Sequence, residues 1–220
     1  VRTGWRALGY ALAVSFVQAS LLGREEPSFD DRFARIARHE LSHGAWYDYQ
    51  EGFIRGHETL FEIFATTTSF RTVQEKMYDR TVDVPRVVAS LPGDGPGHPI
   101  VARIQKALAA RYGEQFPRVS MAMYRGGRDS VAWHGDRVAR QMNTALVATV
   151  SLGEPRKFLL RPYGGGASIG LTLGWGDLLV MGGTCQRTWQ HSVPKTSHAG
   201  PRIALMFRPT WEVPDGVSDY

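Results

Sequence analysis

From Arg118 onward the chain loses any helix-like periodicity. Short apolar runs at 119–124, 131–134, 145–152, 157–161, 168–173, 177–181, 187–191 and 203–208 alternate with turns such as Gly164-Gly165-Gly166 and Gly174-Trp175-Gly176-Asp177. Runs of this length bounded by glycine and aspartate are read as strands joined by tight connections. About eight of them at such spacing predict a jelly roll or a barrel, folds that limit exposed sheet edges. Upstream, Arg55–Ser69 carries Leu60, Phe61, Phe64 and Ala65 at helical spacing. Ile100–Tyr112 does the same with Ile104, Leu108 and Ala109, and Gly113 is its expected C-cap. The predicted class is mainly β with flanking helices: a double-stranded β-helix (jelly roll) core buttressed by two helices.

The remaining segments are read more coarsely. Residues 44–49 look like a first strand, Lys76–Val88 like an extended stretch, and Leu91–Gly97 like a loop. Residues 1–44 are expected to be a mobile N-terminal extension holding one short helix. Residues 45–212 are expected to form one domain, followed by a tail at 213–220.

Charge is unevenly spread. The first 100 residues carry 11 basic and 13 acidic side chains, and residues 101–220 carry 15 and 8. A basic second half suits an anionic partner such as nucleic acid. Only four of the 26 basic residues are Lys, and Arg is the better bidentate partner for carboxylate and phosphate. Cys185 is the only cysteine, which excludes an intrachain disulfide or a thiolate zinc site. Arg2 and Arg6 precede an apolar run from Ala7 to Val17, and Val17-Gln18-Ala19 loosely resembles a signal cleavage site. The run is too short to span a bilayer and is read as an upstream extension of a protein without membrane association.

The chemistry concentrates in the basic half. His134-Gly135-Asp136 followed by His191 supplies two imidazoles and a carboxylate. Three such ligands occupy one face of an octahedral Fe(II) and leave three positions for reactants. His134 and Asp136 are two apart, the spacing at which strand side chains share a face. Arg202 and Arg208 are six apart on one short strand and also share a face. Inward guanidiniums need anions, and a five-carbon dicarboxylate that chelates iron at one end and meets an arginine at the other would supply one. A competing motif, His39-Glu40-Leu41-Ser42-His43 with Glu62 as a distant third ligand, fits a zinc-peptidase pattern. That motif needs a helix, and here Gly44 and a strand-like aromatic run follow at once. Ser130, Ser151 and Cys185 lack a nucleophile–base partner pattern and are read as structural.

The stretches 124–136 (YRGGRDSVAWHGD), 151–156 (SLGEPR), 176–183 (GDLLVMGG), 190–194 (QHSVP) and 201–211 (PRIALMFRPTW) resemble the AlkB family of Fe(II)/2-oxoglutarate dioxygenases, which repair alkylated nucleic acid. The resemblance covers residues 45–212. It implies His134, Asp136 and His191 as iron ligands, Arg202 at the distal 2-oxoglutarate carboxylate, Arg208 near the metal-side carboxylate, and Tyr124 as the cosubstrate tyrosine. The family usually has Asn two residues before that tyrosine; here the position is Ala122. Loss of that amide is expected to cost about 1–2 kcal/mol of cosubstrate binding.

The implied reaction is oxidative dealkylation of N-alkylated bases in DNA or RNA, using Fe(II), dioxygen and 2-oxoglutarate and releasing succinate, carbon dioxide and an aldehyde. The target base must be unpaired or flipped. Residues 70–90 resemble the family's nucleotide-recognition lid. Within it Tyr78 is the expected stacking residue, and Arg80 and Arg86 are expected contacts to backbone or base. Arg156 and Arg161 are candidates for the opposite wall, and Trp133 and Trp189 for packing. A cytoplasmic monomer is expected, because an extracellular enzyme would lack its cosubstrate. Two alternatives stay open: an oxygenase acting on protein or lipid, and a nucleic-acid-binding relic without turnover, the latter motivated by Ala122.

Overall fold

A computed structural model describes residues 25–77, 80–136 and 139–210, with residues 75–77 and 80–83 described by their backbone only. The chain runs β1 (Ser28–Phe29), β2 (Ala37–Glu40), β3 (Ala45–Gln50), β4 (Ile54–Arg55), α1 (His57–Thr67), β5 (Arg71–Met77), β6 (Arg80–Leu91) and α2 (Pro99–Tyr112). It continues through β7 (Arg118–Tyr124), β8 (Val131–His134), β9 (Val147–Gly153), β10 (Arg156–Pro162), β11 (Ile169–Leu173), β12 (Asp177–Gly183), α3 (Cys185–Thr188), β13 (Trp189–Val193) and β14 (Arg202–Arg208). An eight-stranded sheet has the order β2-β3-β12-β9-β14-β7-β6-β5, and a four-stranded sheet the order β11-β10-β13-β8. The strand pairings within them among the described residues are antiparallel. This is the jelly roll expected from the strand spacing.

Alternation along the central strands builds two cores. On β14, Ile203, Leu205 and Phe207 join Ala148, Val150 and Leu152 of β9 against Leu60 and Phe64 of α1 and Ile104 and Leu108 of α2. The opposite face of the same sheet, including Ala204 of β14, Tyr124 of β7 and Leu179 of β12, packs on Phe158, Leu160 and Val193 of the small sheet. A period of two thus sends one set of side chains to the helices and the other between the sheets. Arg202 and Arg208 have the parity of Ala204, so both belong to the space between the sheets.

Three local readings change. Residues 25–44 do not form a loose arm with a helix: Phe33 is in the core, and β2 pairs with β3 in the register Arg38↔Asp48. The reason is a buried acid. Asp48 accepts both ends of the Arg38 guanidinium at 2.8 and 3.0 Å and the Tyr112 hydroxyl at 2.9 Å. Arg38 also lies 3.6 Å over the Trp46 ring, so an exposed polar strand is fastened by charge and stacking rather than by apolar burial. The HExxH residues accordingly lie on β2 and a short 3-10 turn over Ser42–Gly44. His39 stacks on Tyr47 at 4.6 Å, and no helix carries both histidines. The extended stretch at 76–88 resolves into two paired strands, β5 and β6. The expected strand at 187–191 begins as the last turn of α3. No helix among the described residues is long and apolar enough to cross a membrane.

Candidate metal centre and diacid pocket

His134 ends β8, and His191 lies opposite it on β13 as a direct cross-strand pair. Their rings are 4.2 Å apart between centroids at 52°, and Phe158 stacks on His191 at 5.4 Å. His134 Nδ1 donates to the Ala132 carbonyl at 2.9 Å, because a carbonyl can only accept. Nε2 is then the nitrogen with a lone pair to offer. Burial holds the pKa of His134 below its ordinary value. Burial, with the His134, Arg208 and Arg86 charges added, holds that of His191 well below it. Both rings are therefore neutral at physiological pH, the form that binds a metal.

Asp136 reaches this place by a route that differs from strand alternation. The strand stops at His134, and Asp136 sits beyond it in a turn. Its backbone N–H donates to Gln186 Oε1 at 2.9 Å, and its Oδ2 accepts from Arg208 Nε at 2.7 Å. Arg208 also donates to Ser120 Oγ at 2.8 Å. The carboxylate is thus held across the two sheets by the far end of β14. Among the described residues no three His, Cys, Asp or Glu side chains are gathered closely enough to form a complete metal shell; the imidazoles are together, and the acid is drawn toward Arg208.

Arg202, at the near end of β14, is 1% exposed and pairs across strands with Tyr124 and Gly153. Its Nη2 donates to Ser151 Oγ at 2.7 Å, while Nε and Nη1 are buried without a hydrogen-bond partner. Its guanidinium carbon is 5.4 Å from the Tyr124 ring centre. An ion held out of water with two idle donors is costly, and an anion ending here would relieve it. Burial, with Arg156 adding repulsion, pushes the Arg202 pKa down.

The remaining sequence-derived residues divide. Arg86 on β6 lies near enough for its charge to lower both imidazole pKa values. Arg161 lies 4.1 Å over the Trp133 ring and donates to Gln190 Oε1 at 3.2 Å; it pairs with Gln190 one step from the inward Leu160–His191 pair, so alternation turns it to the outer face of the small sheet and away from the wall expected for it. Arg156 does not face an open wall. It is 2% exposed and donates to the carbonyls of Gly126, Asp129 and Pro194 at 3.1, 2.9 and 2.7 Å. Its charge is turned inward because three loop carbonyls converge there, beside the same Tyr124 ring at 5.6 Å. Tyr78 lies outside the described residues, as does the side chain of Arg80. Ala122 is buried between Val88 and Ala204 on the neighbouring strands, a flank in which a methyl group packs readily.

Two site residues, Ser120 and Gln186, go unread in the sequence, and Ser151 is read there only as structural. Ser151 left one trace, a hydroxyl inside the buried run of β9. Ser120 and Gln186 left none, since their partners are 88 and 50 residues away.

Against known proteins, residues 37–208 match the 2OG-Fe(II) oxygenase superfamily, and the chain belongs to it. By class it carries a 2OG-Fe(II) oxygenase domain, the class for which ferrous iron and 2-oxoglutarate are the implied cofactor and cosubstrate. Within that class its sequence relatives include AlkB homologues. It is 33% identical over 130 residues to alpha-ketoglutarate-dependent dioxygenase alkB homolog 3 of Bos taurus, covering 54% of this chain and 46% of the relative. It is 37% identical over 120 residues to DNA oxidative demethylase ALKBH2 of Arabidopsis thaliana, covering 44% and 38%. The chain spans about half the length, or less, of these relatives. Two solved structures share the fold at a TM-score of 0.53 each: OsALKBH1, at 16% identity over 79% of this chain and 100% of that one, and a Trichoplax adhaerens prolyl hydroxylase bound to a hypoxia inducible factor peptide, at 14% over 74% and 83%.

The chemistry of the residues suits both groups that the class employs, although the acid does not stand with the imidazoles as a closed shell. Two neutral imidazoles and a nearby carboxylate are the donor set that suits non-haem Fe(II). The idle Nε and Nη1 of Arg202 suit the far carboxylate of a keto-diacid.

Proposed function

We propose that this chain removes N-linked alkyl groups from bases of DNA or RNA by oxidation. His134, His191 and Asp136 would hold Fe(II), and Arg202, with Tyr124 beside it, the distal carboxylate of 2-oxoglutarate. Iron and the keto acid, when bound, would let dioxygen place one oxygen atom on an N-alkyl carbon and the other on the keto acid, which leaves as succinate and carbon dioxide, so that the hydroxylated carbon can part from the base nitrogen as an aldehyde. The residues' own work is positional. Arg208 fixes the Asp136 carboxylate and anchors on Ser120. Arg202 and Ser151 set the depth to which the diacid enters. Phe158 covers one face of His191 and excludes water from it.

The observation that carries the choice of substrate is the Arg86 guanidinium on β6, whose charge reaches both imidazoles. A cation beside the reacting centre suits a phosphate-linked base. The likeness to a DNA oxidative demethylase supports the same choice, and Tyr78 and Arg80 remain the proposed lid contacts. The test is incubation with Fe(II), ascorbate, 2-oxoglutarate and oligonucleotides bearing 1-methyladenine or 3-methylcytosine. Succinate and the unmodified base should form in equal amounts. Absence of both, with the cosubstrate bound, would remove nucleic acid as the substrate and leave protein or lipid.

A further inference from the structure

We infer that Gln186 is a positioning residue for the metal-side carboxylate; the inference rests on the reading of Asp136 as a ligand. Gln186 is 1% exposed on α3, the short helix that leads directly into the strand bearing His191. Burying a primary amide is costly unless it is used. Its Oε1 accepts the Asp136 backbone N–H at 2.9 Å, whereas its Nε2 meets only the weak Met181 Sδ acceptor at 3.8 Å. The polar bond that rewards its burial is therefore the one to the ligand-bearing turn.

The backbone closes the same contact from below. A Cβ on Gly135 would come within 2.4 Å of the Gln186 carbonyl oxygen, so the turn and α3 touch main chain to main chain. Asp136 is consequently fastened at both ends, by Gln186 at its N–H and by Arg208 at its carboxylate. The two imidazoles belong to strands paired with each other, but the acid belongs to neither strand. Gln186 ties it to the segment that delivers His191. Groups that orient metal ligands in this manner affect metal affinity by about 10–100-fold.

The test is Co(II) titration of the full chain, followed by its visible absorption, without cosubstrate or nucleic acid. Gln186→Leu removes the acceptor at similar volume. It should weaken Co(II) binding at least about tenfold while its circular dichroism matches wild type, and raised Fe(II) should restore its turnover. Gln186→Glu keeps an acceptor oxygen and should bind Co(II) nearer to wild type than to Gln186→Leu. If Gln186→Leu does not fold, Gln186→Asn, one methylene too short to reach the amide, takes its place with the same expected loss. A folded Leu or Asn variant with wild-type Co(II) affinity overturns the inference, as does a Glu variant as weak as Leu. His134→Ala is the separate control: if it binds Co(II) as wild type does, the ligand assignment itself fails, whatever Gln186 does.

Discussion

Replacing Arg202 by methionine should move stability and cosubstrate binding in opposite directions. The guanidinium is 1% exposed and donates from Nη2 to Ser151, with Nε and Nη1 idle. Methionine forfeits that bond, about 1–2 kcal/mol, and the position over the Tyr124 ring, about 0.5–1 kcal/mol. It also removes an ion whose effective desolvation penalty is several kcal/mol. The net is a gain of about 1–2 kcal/mol. For a chain of this size that raises the melting temperature by roughly 2–8 °C. The diacid, by contrast, loses two charge-assisted hydrogen bonds at about 1.5–3 kcal/mol each, so its apparent affinity should fall by more than about 100-fold. Differential scanning fluorimetry with Mn(II) separates the two effects, because a ligand that binds only the folded state raises its melting temperature. Wild type should melt lower than the variant without 2-oxoglutarate and gain on adding it; the variant should start higher and not respond. A variant that melts lower than wild type and still gains fully from 2-oxoglutarate would refute the assignment of Arg202 to an anion.

Asp136→Ala should abolish turnover and also destabilise the fold by about 1–3 kcal/mol, since it strands Arg208 part-buried. His134→Ala should abolish turnover with a smaller change in chemical denaturation, and equal stability losses for the two would count against the Asp136–Arg208 tie. Acid should loosen the loop that leads to the histidines. Burial tends to raise the Asp129 carboxyl, but the Arg125 guanidinium and backbone N–H together pull it lower than its ordinary value. An acid with a depressed folded pKa stabilises above its unfolded value, near 4, and that contribution fades as pH falls through the folded value. Wild type should thus lose stability below about pH 4, and Asp129→Asn should be weaker at neutral pH with a flatter acid limb; parallel pH profiles would dismiss the pair as a contributor.

What the sequence disclosed and what it withheld follow from the range of each interaction. Strand period and turn glycines are local, so β7 to β14 could be read with errors of a few residues, and so could the shared face of Arg202 and Arg208. The histidine pair was legible because chemistry restricts which residues can recur as ligands. The place of Asp136 does not follow from alternation, which ends with the strand at His134; what holds the acid is Gln186 and Arg208, 50 and 72 residues away. Arg156 failed for the opposite cause. A charge is read as surface by default, and only the convergence of three carbonyls from two distant loops makes its burial tolerable. The strand β2 was missed because its residues are exposed and polar, and Asp48 stabilises it from the next strand. In each case the information lay in a long-range polar bond, and those of Gln186, Ser120 and Ser151 lie at the candidate site. The same hydrogen bonds that resisted reading are therefore those that position the acid and the diacid arginine, so the site's geometry should prove more sensitive to Gln186, Ser120 and Ser151 than their ordinary chemistry suggests.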